Sequence, residues 1–128
     1  MSGIIGIDLG CTNIKAALVA KNGKIIKKYE TATEAKKGTR TVINNIISAI
    51  NEVKSGKISG IGIGSPGPMD YENGIITNPV NLPFRNVPLK KIIQKKFTLP
   101  VFLDNDANCF ALGEALFGAG KGYRNVVG

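Results

Sequence analysis

The hydrophobic period alternates between that of a strand and that of a helix along this chain, and the alternation confines its fold. Residues 3–9 read Gly-Ile-Ile-Gly-Ile-Asp-Leu, a short apolar run ending in an acid, which suits a buried strand. Residues 14–20 read as a second strand and 24–31 as a third, with Asn22-Gly23 between them as a hairpin signal. The three predict an antiparallel meander. Over residues 39–53 the period lengthens. Val42, Ile43, Ile46, Ile47, Ile50 and Val53 fall on one helical stripe, with Thr39 or Thr41 as its cap and Gly56 beyond its end. Residues 58–64 are a fourth strand, leading into Ser65-Pro66-Gly67-Pro68, where two prolines forbid regular structure. Residues 69–87 read as irregular, with a small hairpin around Glu72-Asn73-Gly74. Pro88 suits a first helical position, ahead of an apolar helix face of Leu89, Ile92, Ile93 and Phe97. Residues 101–103 form a strand that runs into Asp104-Asn105-Asp106, and 107–117 read as a small-residue helix stopped by Gly118. The order β-β-β-α-β-α-β-α predicts an α/β domain, and 128 residues suffice for one core but not for two full domains.

The chain has no His and two distant cysteines, Cys11 and Cys109. It can supply no Ser-His, Cys-His or His-metal chemistry, and no zinc site of the Cys/His type is expected. A 43% apolar and 20% charged composition argues against disorder and a disulfide scaffold. No stretch approaches ~18 uninterrupted apolar residues, so no membrane partner is expected. The N-terminal segment has no basic region before its apolar run, which predicts no signal peptide; with free thiols, this points to the cytoplasm. The net charge of +8 raises the question of nucleic acid. However, the lysines are scattered as Lys27-Lys28, Lys36-Lys37, Lys90-Lys91 and Lys95-Lys96, with no interleaved aromatics. They read as solvated faces whose surplus charge helps draw in a polyanion such as a nucleotide. No nucleic-acid partner is expected.

Three segments carry candidate chemistry. In Asp8-Leu9-Gly10-Cys11-Thr12-Asn13-Ile14-Lys15 an acid closes a strand and a tight turn follows. Backbone amides of such a turn can cradle a phosphate, with Asp8 holding a hydrated Mg²⁺ and Lys15 adding a point charge. The bland alternative is a plain hairpin turn with an Asx or Thr cap. Gly62-Ile63-Gly64-Ser65-Pro66-Gly67 matches G-x-G-x-x-G, but Pro66 and Pro68 obstruct a helix start and no acid stands about 20 residues on, so a dinucleotide site is not expected. In Asp104-Asn105-Asp106-Ala107-Asn108 polar groups stand between a strand end and a helix, where a carboxylate can serve as general base or merely as N-cap.

Together these segments resemble the ROK family of repressors and sugar kinases, within the wider hexokinase/actin/Hsp70 superfamily. Ile7-Asp8-Leu9-Gly10-Cys11-Thr12-Asn13-Ile14-Lys15 is similar to the family's first phosphate motif. Gly62 through Pro68 resembles its first substrate loop, and Asn81-Leu82-Pro83 the loop that follows. Asn105-Asp106-Ala107-Asn108 through Ala111-Leu112-Gly113-Glu114 resembles its catalytic segment. The resemblance implies a ribonuclease H-like domain with a mixed five-stranded sheet and flanking helices. It implies ATP-dependent phosphorylation of a hexose at its 6-hydroxyl, with Mg²⁺. Asp106 would be the general base. Ser65, Gly67, Asn81, Asn105 and Asp106 would meet the sugar. Gly10, Cys11, Thr12, Asn13 and Lys15 would meet phosphates, with Asp8 near the metal.

Three departures stand out. Cys11 occupies a position that is usually Gly in the family, which would store strain if φ there were positive. Phe84-Arg85 follows Asn81-Leu82-Pro83 where Gly-Trp is usual. Finally, family members have two domains around a cleft, and this chain resembles the N-terminal one. The C-terminal domain, with its second phosphate motif and adenosine site, is expected as a partner. The Ile-rich helices would dock on that half or on a second copy, giving a homodimer. A sugar-binding regulatory domain without catalysis is the alternative function. It is disfavoured because only seven residues precede Asp8.

Overall fold

A computed structural model of the chain describes residues 2–70 and 72–105. The elements in order are β1 (Ser2–Leu9), β2 (Asn13–Ala20), β3 (Ile25–Ala32), a turn of 3-10 helix (Ala35–Lys37), α1 (Thr39–Val53), β4 (Lys57–Ser65), β5 (Met69–Asp70), β6 (Ile75–Ile76), α2 (Leu89–Phe97) and β7 (Val101–Asn105). The expected helix over 107–117 lies outside the described residues. The meander is present as β1, β2 and β3, each antiparallel to the next. Its second turn is a three-residue loop: Ala20 N–H donates to Lys24 O at 2.8 Å and Gly23, at φ 87°, takes the left-handed position. β4 then lies parallel to β1, and β7 parallel to β4, giving one five-stranded mixed sheet of order β3-β2-β1-β4-β7. The small hairpin is β5 and β6. Among the described residues no helix starts at Gly67, so the G-x-G-x-x-G match lacks the helix N-terminus of the dinucleotide fingerprint; the Gly67-Pro68 bond is cis.

Strand alternation divides the sheet into two unlike faces. Ile5, Ile7 and Leu9 of β1, Ile14, Ala16 and Leu18 of β2, and Ile61 and Ile63 of β4 join Val42, Ile46, Ala49, Ile50 and Val53 of α1 in one core. Leu89 and Ile93 of α2 enter the same cluster, so both described helices cover one face. Burying each such isoleucine contributes about 1.5–3 kcal/mol. Ile43 and Ile47 are only partly buried, and Ala49 takes their place in the stripe. The helices therefore spend most of their apolar stripes on their own sheet, leaving Ile43, Ile47 and Ile92 partly exposed. On the other face, β1 and β4 present Ile4, Gly6 and Asp8 beside Gly60, Gly62 and Gly64.

Two local expectations are corrected. The N-cap of α1 is Gly38, with no side-chain cap; Thr39 and Thr41 are already helical, and the Thr39 hydroxyl is used elsewhere. Pro88 is the N-cap of α2 rather than its first helical residue.

Candidate active site

Three neighbouring strands that run the same way, β1, β4 and β7, deliver the three candidate segments to one edge of the sheet. Asp8 is in register with Gly64, Gly64 with Asp104, and Ser65 with Asn105. The turn 10–13 leaves β1 at this edge, the Pro66-Gly67 loop leaves β4, and β7 ends there at Asn105. Carboxyl ends of parallel strands are where open α/β sheets bind ligands. Asp106 is the next residue in the chain and lies outside the described residues.

Asp8 is half-buried on the face opposite α1, in a row that runs Glu30, Lys15, Asp8, Gly64, Asp104 across four strand pairs. Gly64, the residue between the two acids in this row, is buried and has no side chain. One carboxylate beside a phosphate turn fits Mg²⁺, which keeps most of its waters and takes few protein oxygens. Among the described residues no group of three or more Cys, Asp or Glu gathers to cage a metal.

The turn itself is tightly made. Gly10 N–H donates to Asn13 O at 3.0 Å, and a Cβ on Gly10 would stand 2.8 Å from that same oxygen. Thr12 and Asn13 are exposed, Cys11 is half-buried, and the N–H groups of Cys11 and Thr12 meet no acceptor among the described residues. Cys11 is not among the residues with positive φ, so a side chain costs no backbone strain there. The tight position is Gly10. Gly10→Ala is expected to displace the turn at a cost of about 1–3 kcal/mol and to weaken nucleotide binding; a urea midpoint and an ATP titration check both.

The second substrate loop is anchored from below. Asn81 is exposed, but Leu82 is 4% and Phe84 0% exposed, and the Thr39 hydroxyl of α1 donates to Pro83 O at 3.0 Å. Phe84 thus sits in the core and does not line the pocket, which removes much of the force of that departure. Ser65 is fully buried, its hydroxyl on Pro66 O at 3.2 Å.

An open cleft of about 660 Å³ is lined by Cys11, Thr12 and Asn81 together with Glu34, Lys36 and Lys37. The structure therefore brings the phosphate turn and Asn81 together. It sets Lys15 apart, in a separate hollow of about 410 Å³ with Lys28, Tyr29 and Glu30. Neither Ser65 nor Gly67 lines the cleft. The Lys37 ammonium lies 2.7 Å from Glu34, and its hydrogen bond, followed by that of Asn45, holds the Glu34 carboxyl below the usual range.

Sequence reasoning missed Thr33. It is fully buried just past β3, its hydroxyl donates to Gly10 O at 2.7 Å, and its N–H donates to Thr12 O at 2.8 Å. The Asn22-Gly23 hairpin alone would set Thr12 opposite Ala32; a register shift between Leu18 and Val19 brings Thr33 there instead, and no short motif announces that shift.

The sequence pattern of the ROK family matches residues 4–128. The chain belongs to the ROK family. It is 45% identical to a glucokinase of Thermotoga maritima over 126 residues, 97% of this chain and 40% of that protein. It is 40% identical to a xylose repressor of Caldicellulosiruptor bescii over 121 residues, 90% of this chain and 30% of that protein. A crystal structure of a ROK family glucokinase from Streptomyces griseus in complex with glucose and AMPPNP superposes with a TM-score of 0.77 at 33% identity, over 94% of this chain and 38% of that one. This ROK chain thus spans well under half the length of the relatives it matches. Its fold is ribonuclease H-like, of the actin-like kind shared by ROK sugar kinases.

Proposed function

We propose that this ROK chain is the N-terminal domain of a two-domain cytoplasmic kinase that transfers the γ-phosphoryl of ATP to the 6-hydroxyl of a hexose. The observation that carries the reading is the delivery of the phosphate turn, the Ser65 loop and Asn105 to one edge by three adjacent parallel strands. The likeness to glucokinases, one of them solved with glucose and AMPPNP, supports it.

Phosphoryl transfer needs positioning and charge neutralisation more than covalent chemistry. Asp106 takes the proton of the attacking hydroxyl, an alcohol too weakly acidic to lose it unaided. Asn105 and Asn81 orient the sugar, and the loop of Ser65 and Gly67, with the Ser65 hydroxyl turned onto Pro66 O, offers it backbone rather than side chain. Gly10, Cys11, Thr12 and Asn13 receive phosphate oxygens, and Lys15, the cross-strand neighbour of Asp8, contributes charge from the adjoining hollow. Mg²⁺, when bound, neutralises charge on the phosphate oxygens, and Asp8 would hold it through water.

The likeness to a xylose repressor favours a second reading, a sugar-binding regulatory domain without catalysis. Release of ADP by the full-length protein over a panel of hexoses decides between them. Sugar-dependent ADP release supports the kinase. Sugar binding without turnover on any hexose sinks it and leaves the regulatory domain.

A further inference from the structure

The phosphate turn is gripped from behind by the fully buried Thr33, which belongs to no recognised motif. Thr33 makes both contacts to it, hydroxyl to Gly10 O and N–H to Thr12 O. The segment carrying Thr33 is itself held by α1: Asn45 Nδ2 lies 3.2 Å from Ala32 O, 3.1 Å from Thr33 O and 2.9 Å from Glu34 Oε1. Glu34 stands in the left-handed region at φ 60°, a conformation that costs a non-glycine residue energy and persists only where surroundings enforce it. The enforcing groups are Asn45 and Lys37.

A trans peptide is planar, with its C=O and N–H pointing in opposite directions. The Gly10 C=O and the Cys11 N–H belong to one such unit. A hydroxyl that draws the Gly10 carbonyl inward therefore turns the Cys11 N–H outward. The N–H of Thr33 does the same to the next-but-one unit, drawing the Thr12 carbonyl inward and turning the Asn13 N–H away from Thr33. Thr33 is fully buried, so no water competes for these bonds.

We infer that Thr33, held by Asn45, is the positioning residue of the phosphate turn: it aims the Cys11 N–H at the anion and fixes the turn from Gly10 to Thr12 behind it. This deepens the proposed function and rests on the turn being the donor-phosphate site. Thr33 touches neither ATP nor sugar and acts wholly through Gly10 and Thr12.

The test compares Thr33→Val, which keeps the shape and loses the hydroxyl, with Thr33→Ser, which keeps the hydroxyl, in the full-length protein. Calorimetric titration with MgADP and steady-state kinetics are the readouts. The expected result is a roughly tenfold rise in Kd for MgADP and in KM for MgATP in T33V, with the sugar KM little changed and recovery in T33S. Asn45→Ala should move the same constants in the same direction, and it carries the test if T33V does not fold. Unchanged nucleotide constants in both T33V and Asn45→Ala overturn the inference, whatever happens to the melting temperature. An equal loss of sugar and nucleotide affinity overturns it too, because a merely structural role would produce that. Should the wild type bind MgADP yet phosphorylate no sugar, the kinase reading fails, while a selective loss of MgADP affinity in T33V still supports the inference.

Discussion

Asp106→Asn in the full-length protein is expected to lower kcat for sugar phosphorylation by about 10²–10⁴-fold, with the KM for MgATP nearly unchanged. The amide keeps the size and hydrogen-bonding reach of the carboxylate but cannot accept the hydroxyl proton. The loss should therefore fall on the chemical step. A smaller rise in sugar KM accompanies it, because Asp106 is also expected to hold a sugar hydroxyl. The measurement is ADP release at saturating sugar with both constants fitted. Retention of kcat to within about tenfold would remove the carboxylate from the role of general base, since positioning alone would then account for the rate.

Phe84→Ala has the largest expected effect on stability, a loss of about 3–5 kcal/mol. The ring is fully buried among the core residues of both helices and the sheet, and its removal leaves a cavity that rigid neighbours cannot close. The same residue anchors the Asn81-Leu82-Pro83 loop from beneath. The variant should consequently show a raised sugar KM at temperatures where it remains folded. Urea denaturation gives the stability, and kinetics well below the melting temperature give the KM. A loss under about 1 kcal/mol would mean that the loop is held by Leu82 and the Thr39–Pro83 bond without the ring, and that the departure at Phe84 is neutral to the fold.

The order of elements is legible because each carries its own periodicity. The stripe from Val42 to Val53 has the helical period and gains its stability by packing on the sheet, and the runs around Ile5, Leu18 and Ile61 are strands because Ile and Val pack well on a pleated surface. The Asn22-Gly23 turn is readable from the demand for a left-handed residue, which Gly23 meets. Helix caps are less legible. Thr39 is a reasonable cap by type, but its hydroxyl is taken by Pro83, a residue 44 positions away.

The candidate residues are legible as residue types in short motifs, and their grouping is only partly so. Lys15 lies on β2 and lines one hollow, whereas Thr12 lies in the turn before that strand and lines the cleft. In sequence Phe84 reads as a change in a substrate loop, whereas burial makes it an anchor. Thr33 and Asn45 carry no motif, and their importance arises from which carbonyls they meet.

By itself, then, the sequence determined the elements, their order, the family and the motifs, all of which depend on neighbours within a few positions or on short ordered patterns. Only the tertiary structure decided that β1, β4 and β7 end at one edge, that α1 braces both the phosphate turn's support and the substrate loop, and that Lys15 stands apart. Those outcomes depend on strand pairing and face alternation between residues distant in the chain, and pairing is settled by the packing of the whole sheet.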